Sequence, residues 1–256
     1  MCTLLVWKHR HHRFGLIAAA NRDEFLARPA TTPTSLARDP LVVGGRDVTA
    51  GGTWFAVNEH GVVTALTNRR GAGAHDPSKR SRGLLVGEIA RSRSMAEAAK
   101  TAERIDAAEY NPFVLFVGDA DEAFALHGGD DGSRLVRIDD GAHAITNWDL
   151  DASSPPKAAY ACETARALPI GGDDDADVLA ARLHASLSDH GSGADDGLCV
   201  HRPQTGYGTR STSIALVGFR QSDARLYHAE GPPCASTLVD VSCLLRDEPA
   251  PRPSNV

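Results

Sequence analysis

The chain has 256 residues, of which 42% are hydrophobic, and its formal net charge is −6. This length and hydrophobic content predict a single domain over residues 1–246 with a substantial core, followed by a disordered, proline-rich tail at 247–256. The negative charge argues against a nucleic-acid-binding protein, because such proteins normally carry an excess of basic residues. No run approaches the roughly twenty apolar residues of a transmembrane helix, and the composition leaves the oligomeric state open.

The five cysteines do not follow a metal-binding spacing, and they cannot all form pairs because their number is odd. The N-terminus lacks the layout of a secretory signal, since its apolar run is short and the basic residues follow that run. These features predict a cytoplasmic protein. The histidine cluster at residues 9–12 has no carboxylate or cysteine that would complete a ligand set, which favours a solvated turn over a metal site. We therefore expect no metal and no cofactor.

The N-terminus itself is the strongest candidate for chemistry. The chain begins Met1-Cys2-Thr3, and methionine is normally removed when the next side chain is small. Removal would leave Cys2 with a thiol and a free α-amine on the same carbon. The amine titrates at about pH 7.7–8.0 and the thiol at about 8.5, so a proton passes easily between them near neutrality. Cys2 is therefore predicted to be a nucleophile that carries its own base, although a cysteine also falls at this position by chance in some chains.

Two apolar runs, Thr3–Trp7 and Phe14–Ala20, flank a basic turn and predict a hairpin. The register that we expect from this turn places Cys2 opposite Ala19. The second strand then continues directly into the tetrad Asn21-Arg22-Asp23-Glu24. Four polar residues are thus expected beside the chain terminus.

The tetrad offers groups suited to a site built around the terminus. Asp23 can accept a hydrogen bond from the terminal ammonium or orient the amine. Asn21 or Arg22 can face a substrate. The alternative is a solvated turn after a strand, and composition alone does not decide between the two.

A second hairpin is predicted at Trp54–Asn58 and Val62–Asn68, after a proline-rich connection that indicates an extended surface segment. Its expected register places Asn68 opposite Gly51, where the absence of a side chain leaves room for a ligand. An asparagine there can donate its amide to a developing oxyanion. An asparagine at a strand end also often serves turn chemistry, which is the alternative interpretation.

Helical and strand-like segments alternate through the rest of the chain. The predicted helices are Gly83–Arg91, Ser94 to about Ile105, Ala158–Ala167 and Ala176–Leu187, and the predicted strands are Pro112–Gly118, Glu122–His127, Arg134–Ile138, His143–Thr146, Gly197–His201, Ser213–Phe219 and Arg225–His228, with a strand or docking segment at Thr237–Leu245. This segregated order favours an α+β sandwich of two antiparallel sheets with helices on the outer faces.

Two further polar residues lie at strand ends. Asn147 follows the run His143–Thr146, and Arg210 precedes the run that begins at Ser213. Asn147 is either an amide donor or a turn residue. Arg210 either holds a substrate carboxylate or carbonyl, or is an ordinary surface cation.

Several of these segments together resemble the NRDE family, which includes the transport and Golgi organisation protein 2 of eukaryotes. They are Met1-Cys2-Thr3, Asn21-Arg22-Asp23-Glu24, Gly51-Gly52-Thr53-Trp54 and Tyr207-Gly208-Thr209-Arg210-Ser211-Thr212. The resemblance covers residue 1 to about residue 245. The family is similar in turn to N-terminal nucleophile hydrolases of the cholylglycine hydrolase and penicillin V acylase type. That similarity implies a four-layer αββα fold.

The similarity to the acylases also implies roles for individual residues. Cys2 matches the nucleophile, and Asp23 matches the aspartate that supports it. Asn68 ends a segment that resembles the acylases' Asn-Glu-x-Gly segment and matches a substrate-site asparagine. Asn147 matches the oxyanion-site asparagine, and Arg210 resembles the arginine near the nucleophile.

One position departs from the acylase pattern. The acylases carry an arginine three residues before the aspartate, where this chain has Ala20, and Arg22 is the candidate replacement. The resemblance implies either of two functions. The first is hydrolysis of a non-peptide carbon–nitrogen bond in a small-molecule amide, through an acyl-enzyme on Cys2. The second is binding or trafficking of haem, a lipid or an acyl-coenzyme A on the same fold, without catalysis.

Overall fold

The computed structural model describes residues 2–70, 74–130, 132–191, 197–220 and 223–248. The tail predicted to be disordered lies outside the described residues from residue 249 onward. Two seven-stranded sheets, in which every strand pairing is antiparallel, form the centre of the fold. The predicted α+β sandwich is thereby confirmed. None of the described helices is long and apolar enough to cross a membrane.

The first sheet has the strand order β10-β1-β2-β12-β13-β14, and β11 pairs with β12. Its strands are β1 (Thr3–Lys8), β2 (Phe14–Phe25), β10 (Gly141–Ile145), β11 (His201–Arg202), β12 (Tyr207–Gly218), β13 (Arg225–Glu230) and β14 (Val239–Asp240). The second sheet runs through β3 to β9 in chain order. Its strands are β3 (Thr34–Arg38), β4 (Leu41–Gly44), β5 (Phe55–Asn58), β6 (Val63–Asn68), β7 (Phe113–Gly118), β8 (Ala123–Gly129) and β9 (Gly132–Arg137).

In the described part of the chain, four α-helices cover the outer faces of the two sheets. They are α1 (Gly83–Ile89), α2 (Met95–Glu103), α3 (Pro156–Ala167) and α4 (Ala176–Leu187). Alternation along the strands sends successive side chains to opposite faces, so each sheet contributes to two apolar layers. Val6 and Val57 lie in the layer between the sheets. Trp7 packs in the layer beneath α3 and α4, and Leu115 packs in the layer beneath α1 and α2. The result is the four-layer αββα arrangement.

The helices agree with the sequence predictions. Helix α4 has the predicted bounds, and the side chain of Ser94 caps α2 by accepting a hydrogen bond from the Glu97 N–H. The strand predicted at Gly197–His201 is wrong, since only His201 lies in a strand, β11. Strands β3 and β4 occupy the connection that was predicted to be an extended surface segment.

Both predicted hairpin registers are wrong. Leu5, and not Cys2, lies opposite Ala19, because the first turn reaches as far as Gly15, whose carbonyl accepts a hydrogen bond from the His9 N–H at 2.8 Å. A Cβ on Gly15 would lie 2.1 Å from the Ala120 carbonyl oxygen, so the turn passes too close to the neighbouring backbone for any side chain. The correct register moves the start of β1 towards the tetrad.

The second hairpin is displaced by one residue, since Val57 pairs with Val63. Asn68 pairs with Phe113 on β7 and has no partner on β5. The expected pairing of Asn68 with Gly51 is therefore not formed. The one-residue difference keeps Val57 and Val63 on the face that points towards the first sheet, as their common apolar layer requires.

Candidate active site

A cleft of about 810 Å³ opens where β1 begins and β6 ends. Cys2, Arg22, Asp23 and Asn68 all line it, so four of the seven residues proposed from the sequence come together here. The other three, Asn21, Asn147 and Arg210, are not part of the lining.

The strand register explains why Cys2 faces the cleft. Thr3 pairs with Asn21, which places Cys2 beside Arg22 on the neighbouring strand. Leu4 and Val6 point into the layer between the sheets. Since side chains alternate along a strand, Cys2 points to this same side, and the cleft is the polar end of the space between the two sheets.

The Cys2 side chain is half-buried, and its Sγ lies 3.9 Å from the backbone carbonyl oxygen of Asp23. Burial raises the pKa of the Cys2 thiol above its ordinary value, because the thiolate is poorly solvated there. The guanidinium of Arg22 acts in the opposite direction, towards a lower pKa. With Met1 in place, the thiol is therefore mainly protonated at neutral pH.

The carboxylate of Asp23 is fully buried and has charged and polar partners. Lys157 Nζ lies 3.1 Å from its Oδ2, and the Thr209 hydroxyl donates to its Oδ1 at 2.6 Å. The backbone carbonyl of Asp23 also accepts a hydrogen bond from the Tyr207 hydroxyl at 2.8 Å. Removing one member of such a buried ion pair leaves an uncompensated charge, which costs about 3–5 kcal/mol. This network fixes the backbone against which the Cys2 sulfur lies.

Arg22 lies on the same face of β2 as Ala20, two residues further along the strand. Its guanidinium stacks over the Trp54 ring at 4.3 Å and lies 3.6 Å from the Asp47 carboxylate. Arg22 therefore brings a guanidinium into the cleft from the face that Ala20 occupies. That Arg22 replaces the acylase arginine stays a prediction.

Asn21 points to the opposite face of β2, away from the cleft. Its side-chain amide donates to the backbone carbonyls of Leu187 and Leu198 at 2.9 and 3.0 Å. Its carbonyl oxygen accepts a hydrogen bond from the Thr212 hydroxyl at 2.6 Å. In this position Asn21 connects the first sheet to the end of α4 and does not face a substrate.

The two remaining asparagines form a pair at the end of β6. The side-chain amide of Asn147 donates to the backbone carbonyl of Asn68, while the Asn68 side chain is exposed in the cleft. The side-chain oxygen of Asn147 is buried and has no hydrogen-bond partner among the described residues. Asn147 thus holds the backbone of Asn68 in place. A donor group of a ligand, or a water molecule, would satisfy the side-chain oxygen of Asn147.

Arg210 lies outside the cleft lining, where its guanidinium donates to the Leu26 carbonyl and lies 3.7 Å from the Glu230 carboxylate. Arg82 lines the same cleft as Cys2, whereas Arg210 does not. Burial lowers the pKa of Arg82, and the nearby Cys2 acts in the opposite direction.

Sequence reasoning missed Arg82 and Lys157. Arg82 immediately precedes α1, and Lys157 lies in the first turn of α3. A lone cation at a helix start has no pattern that connects it to the N-terminus. The nearest signal in the sequence is that the tetrad containing Asp23 follows directly on an apolar run, since a carboxylate that is buried there needs a cationic partner.

The cleft is lined by more basic than acidic residues although the whole chain is acidic. Its lining includes seven arginine and lysine residues but only three aspartate and glutamate residues. Arg82 has no carboxylate within ion-pair distance among the described residues, and its guanidinium donates to the Pro112 carbonyl at 3.0 Å. This charge favours an anionic ligand and disfavours a metal cation beside Cys2.

Comparison with known proteins gives a consistent result. The family model described as Transport and Golgi organisation 2 matches residues 1–227. The Transport and Golgi organization protein 2 homolog of Bos taurus is 26% identical over 236 residues, which cover 80% of this chain and 82% of that protein. The Homo sapiens homolog shows the same identity and coverage.

Among solved structures, an N-acylethanolamine-hydrolyzing acid amidase ortholog from Caenorhabditis elegans has a TM-score of 0.59 at 10% identity, over 84% of this chain and 92% of that chain. Penicillin V acylase from Agrobacterium tumefaciens has a TM-score of 0.58 at 11% identity, over 93% of this chain and 86% of that chain. A conjugated bile acid hydrolase from Clostridium perfringens has a TM-score of 0.54 at 11% identity, over 94% of this chain and 92% of that chain. These likenesses establish a shared fold.

Proposed function

The chain belongs to the Transport and Golgi organisation 2 family, and from that premise we propose that it is an N-terminal cysteine hydrolase of a small-molecule amide. The observation that carries this proposal is the position of Cys2, whose sulfur lies in the basic cleft against the backbone of the buried Asp23. The fold shared with amide-hydrolysing enzymes supports it. The proposed setting is the reducing cytoplasm, where all five cysteines would stay thiols.

The proposed reaction begins once Met1 has been removed. The α-amine of Cys2 accepts the thiol proton, and the thiolate sulfur attacks the carbonyl carbon of the amide. The carbonyl electron pair moves to oxygen and gives a tetrahedral oxyanion. When this intermediate collapses, the carbon–nitrogen bond breaks, and the leaving amine takes the proton held by the α-ammonium. An acyl thioester then remains on Cys2.

Water completes the cycle. The α-amine accepts a proton from the water as its oxygen attacks the thioester carbonyl. The carbon–sulfur bond breaks, the sulfur recovers the proton, and the carboxylic acid is released. Each of these steps uses one base, which is the amine on the same residue.

The surrounding residues would hold the reacting groups. Asp23 is proposed to attract the Cys2 ammonium, and Lys157 balances the charge of its carboxylate. Asn68 is proposed to donate its amide to the oxyanion from a position fixed by Asn147, a type of contact whose removal costs roughly 3–4 kcal/mol of transition-state stabilisation. Arg210 keeps no direct role in this proposal.

The charge of the cleft narrows the substrate class. Arg22 and Arg82 are the guanidinium groups that interact electrostatically with Cys2. A carboxylate or phosphate on the substrate would pair with them, because guanidinium groups bind such anions in a bidentate manner. We therefore propose an amide that carries an anionic group close to the scissile bond.

The test is mass spectrometry of the purified chain combined with labelling by a thiol-reactive acyl probe. We expect an intact mass without Met1 and one acyl group on Cys2, with labelling lost in Cys2→Ala and kept in Cys243→Ser, a cysteine outside the cleft. Retention of Met1, or undiminished labelling of Cys2→Ala, would contradict the catalytic proposal.

The charge of the cleft also favours a second candidate function, the binding of an anionic ligand without chemistry. The carboxylates of haem, the phosphates of an acyl-coenzyme A and an anionic lipid headgroup all fit a basic cleft. In that case Cys2→Ala would still bind the ligand and complement a deletion strain. Complementation by Cys2→Ala separates the two functions, since a hydrolase needs the Cys2 thiol for it, and titration of the purified wild type and Cys2→Ala with haem and with acyl-coenzyme A tests the two ligands.

A further inference from the structure

A cluster of two cysteines and two histidines lies across β12 from the cleft, at the edge formed by β11. Its members are His190, Cys199, His201 and Cys234, and one ligand atom from each lies within 4.8 Å of all the others. None of these residues lines the cleft or belongs to the proposed reaction.

The spacing of the four side chains matches a tetrahedral metal site. Cys199 Sγ lies 3.7 Å from Cys234 Sγ, and His201 Nε2 lies 3.4 and 3.2 Å from these two sulfurs. Two sulfurs bound to Zn²⁺ at about 2.3 Å with a tetrahedral angle would be about 3.7–3.8 Å apart, and a sulfur and an imidazole nitrogen about 3.5 Å apart. The distances thus suit zinc before any metal is added.

The backbone brings the first two members together. A Cβ on Gly197 would lie 2.3 Å from the His190 carbonyl oxygen, so only glycine permits the approach of these two segments. The Cys199 N–H also donates to the Asp189 carbonyl at 2.9 Å. These contacts hold His190 beside Cys199, while the turn after β13 supplies Cys234 from a distant part of the chain.

We propose that His190, Cys199, His201 and Cys234 bind one zinc ion as a structural site. Two thiolates and two imidazoles form a standard zinc ligand set, and four protein ligands leave no open position for a substrate. Binding of Zn²⁺ displaces one proton from each thiol to solvent, and the two histidines bind in their neutral form. The ion would fasten the segment after α4 to the turn between β13 and β14.

The proposed site is connected to Asp23 by hydrogen bonds. Val200 lies between two of the ligands, and its N–H donates to the Thr209 hydroxyl oxygen at 2.8 Å. The same hydroxyl donates to Asp23 at 2.6 Å. A metal that fixes residues 199–201 would therefore also restrain the position of Thr209 beside the buried carboxylate.

The test uses the full-length chain, reduced, stripped with a chelator and titrated with Co²⁺ and with Zn²⁺. We expect one metal per chain, a thiolate-to-cobalt charge-transfer band, the d–d bands of tetrahedral Co²⁺, and a thermal midpoint that rises with Zn²⁺. Cys234→Ser should weaken binding at least about 100-fold, because loss of even an outer-shell partner of a metal site costs 10–100-fold. Cys243→Ser is the matched control and should bind as the wild type does.

Two outcomes of these measurements would contradict the proposed zinc site. One is equal metal affinity in Cys234→Ser and Cys243→Ser. Another is a reduced wild-type chain that binds no metal but loses two reactive thiols on oxidation, which would identify Cys199 and Cys234 as a disulfide pair. Because metal content and spectra are read without any substrate, these results do not depend on whether Cys2 is catalytic.

Discussion

Cys2 immediately precedes β1 and Cys199 lies two residues before β11 of the same sheet, yet their surroundings differ in kind. Cys2 shares its cleft with the guanidinium groups of Arg22 and Arg82, and its sulfur lies 3.9 Å from the backbone carbonyl of Asp23, whose carboxylate is paired with Lys157. Cys199 lies within 3.7 Å of a second thiol and a histidine. A lone thiol among cations is suited to nucleophilic attack on an anionic substrate, whereas grouped thiols and imidazoles are suited to a metal. The neighbours of a cysteine therefore decide its chemistry.

The largest effect on stability is expected for Asp23→Asn, which removes the charged partner of buried Lys157. We expect the free energy of unfolding to fall by about 3–5 kcal/mol, because the ammonium would stay buried without compensation. Urea denaturation measures this change. Asp174→Asn, which breaks a more exposed pair with Arg182, should cost less.

A second substitution separates stability from chemistry at the same place. Adding Lys157→Met to Asp23→Asn removes the uncompensated charge and should recover part of the lost stability. Activity should not return, because the carboxylate that is proposed to attract the Cys2 ammonium would still be missing. Recovery of acyl-probe labelling in the double variant would show that Asp23 has no role beyond balancing Lys157.

A smaller loss of stability is expected for Asn21→Ala. This substitution tests whether Asn21 has a structural role, in contrast to Arg22, which faces the cleft. The change leaves the Leu187 and Leu198 carbonyls without their side-chain donor, at a cost of about 1–3 kcal/mol. Denaturation should detect this loss, while the KM for an amide substrate should stay unchanged. A raised KM at unchanged stability would instead place Asn21 in substrate binding.

The smallest effect is expected for Arg82→Gln, which tests the charge of the cleft. Binding of an anionic amide should weaken about tenfold, equivalent to about 1.4 kcal/mol, while binding of its neutral analogue should not change. Isothermal titration of both ligands on a Cys2→Ala background measures the ratio. Arg93→Gln is the control, since Arg93 is exposed and lies outside the cleft. Equal losses for both ligands would contradict an anionic substrate.

The sequence predicted the α+β sandwich, because the order of its strand and helix segments is segregated, and it predicted the bounds of α4, because local periodicity and capping determine them. Register depends on contacts that the sequence does not display. The approach of Gly15 to Ala120 sets the first hairpin and so decides that Cys2 meets Arg22 and not Ala19.

The partners of the site residues were hidden for the same reason. Lys157 reaches Asp23 from α3, more than one hundred residues along the chain. Cys234 reaches Cys199 from another hairpin, so the spacing of the cysteines gave no sign of their proximity. Strand alternation would have identified the structural role of Asn21 once the correct register was known.

The most direct test of the account is the pH dependence of Cys2 acylation in two forms of the chain. One form is the mature protein without Met1, and the other carries a short N-terminal extension that keeps Cys2 internal. Burial raises the pKa of the internal thiol, so the extended form should react only as the pH rises well above neutrality. The mature form should react near pH 7, because its own amine accepts the thiol proton. Identical profiles for the two forms would contradict the claim that the N-terminal amine activates Cys2.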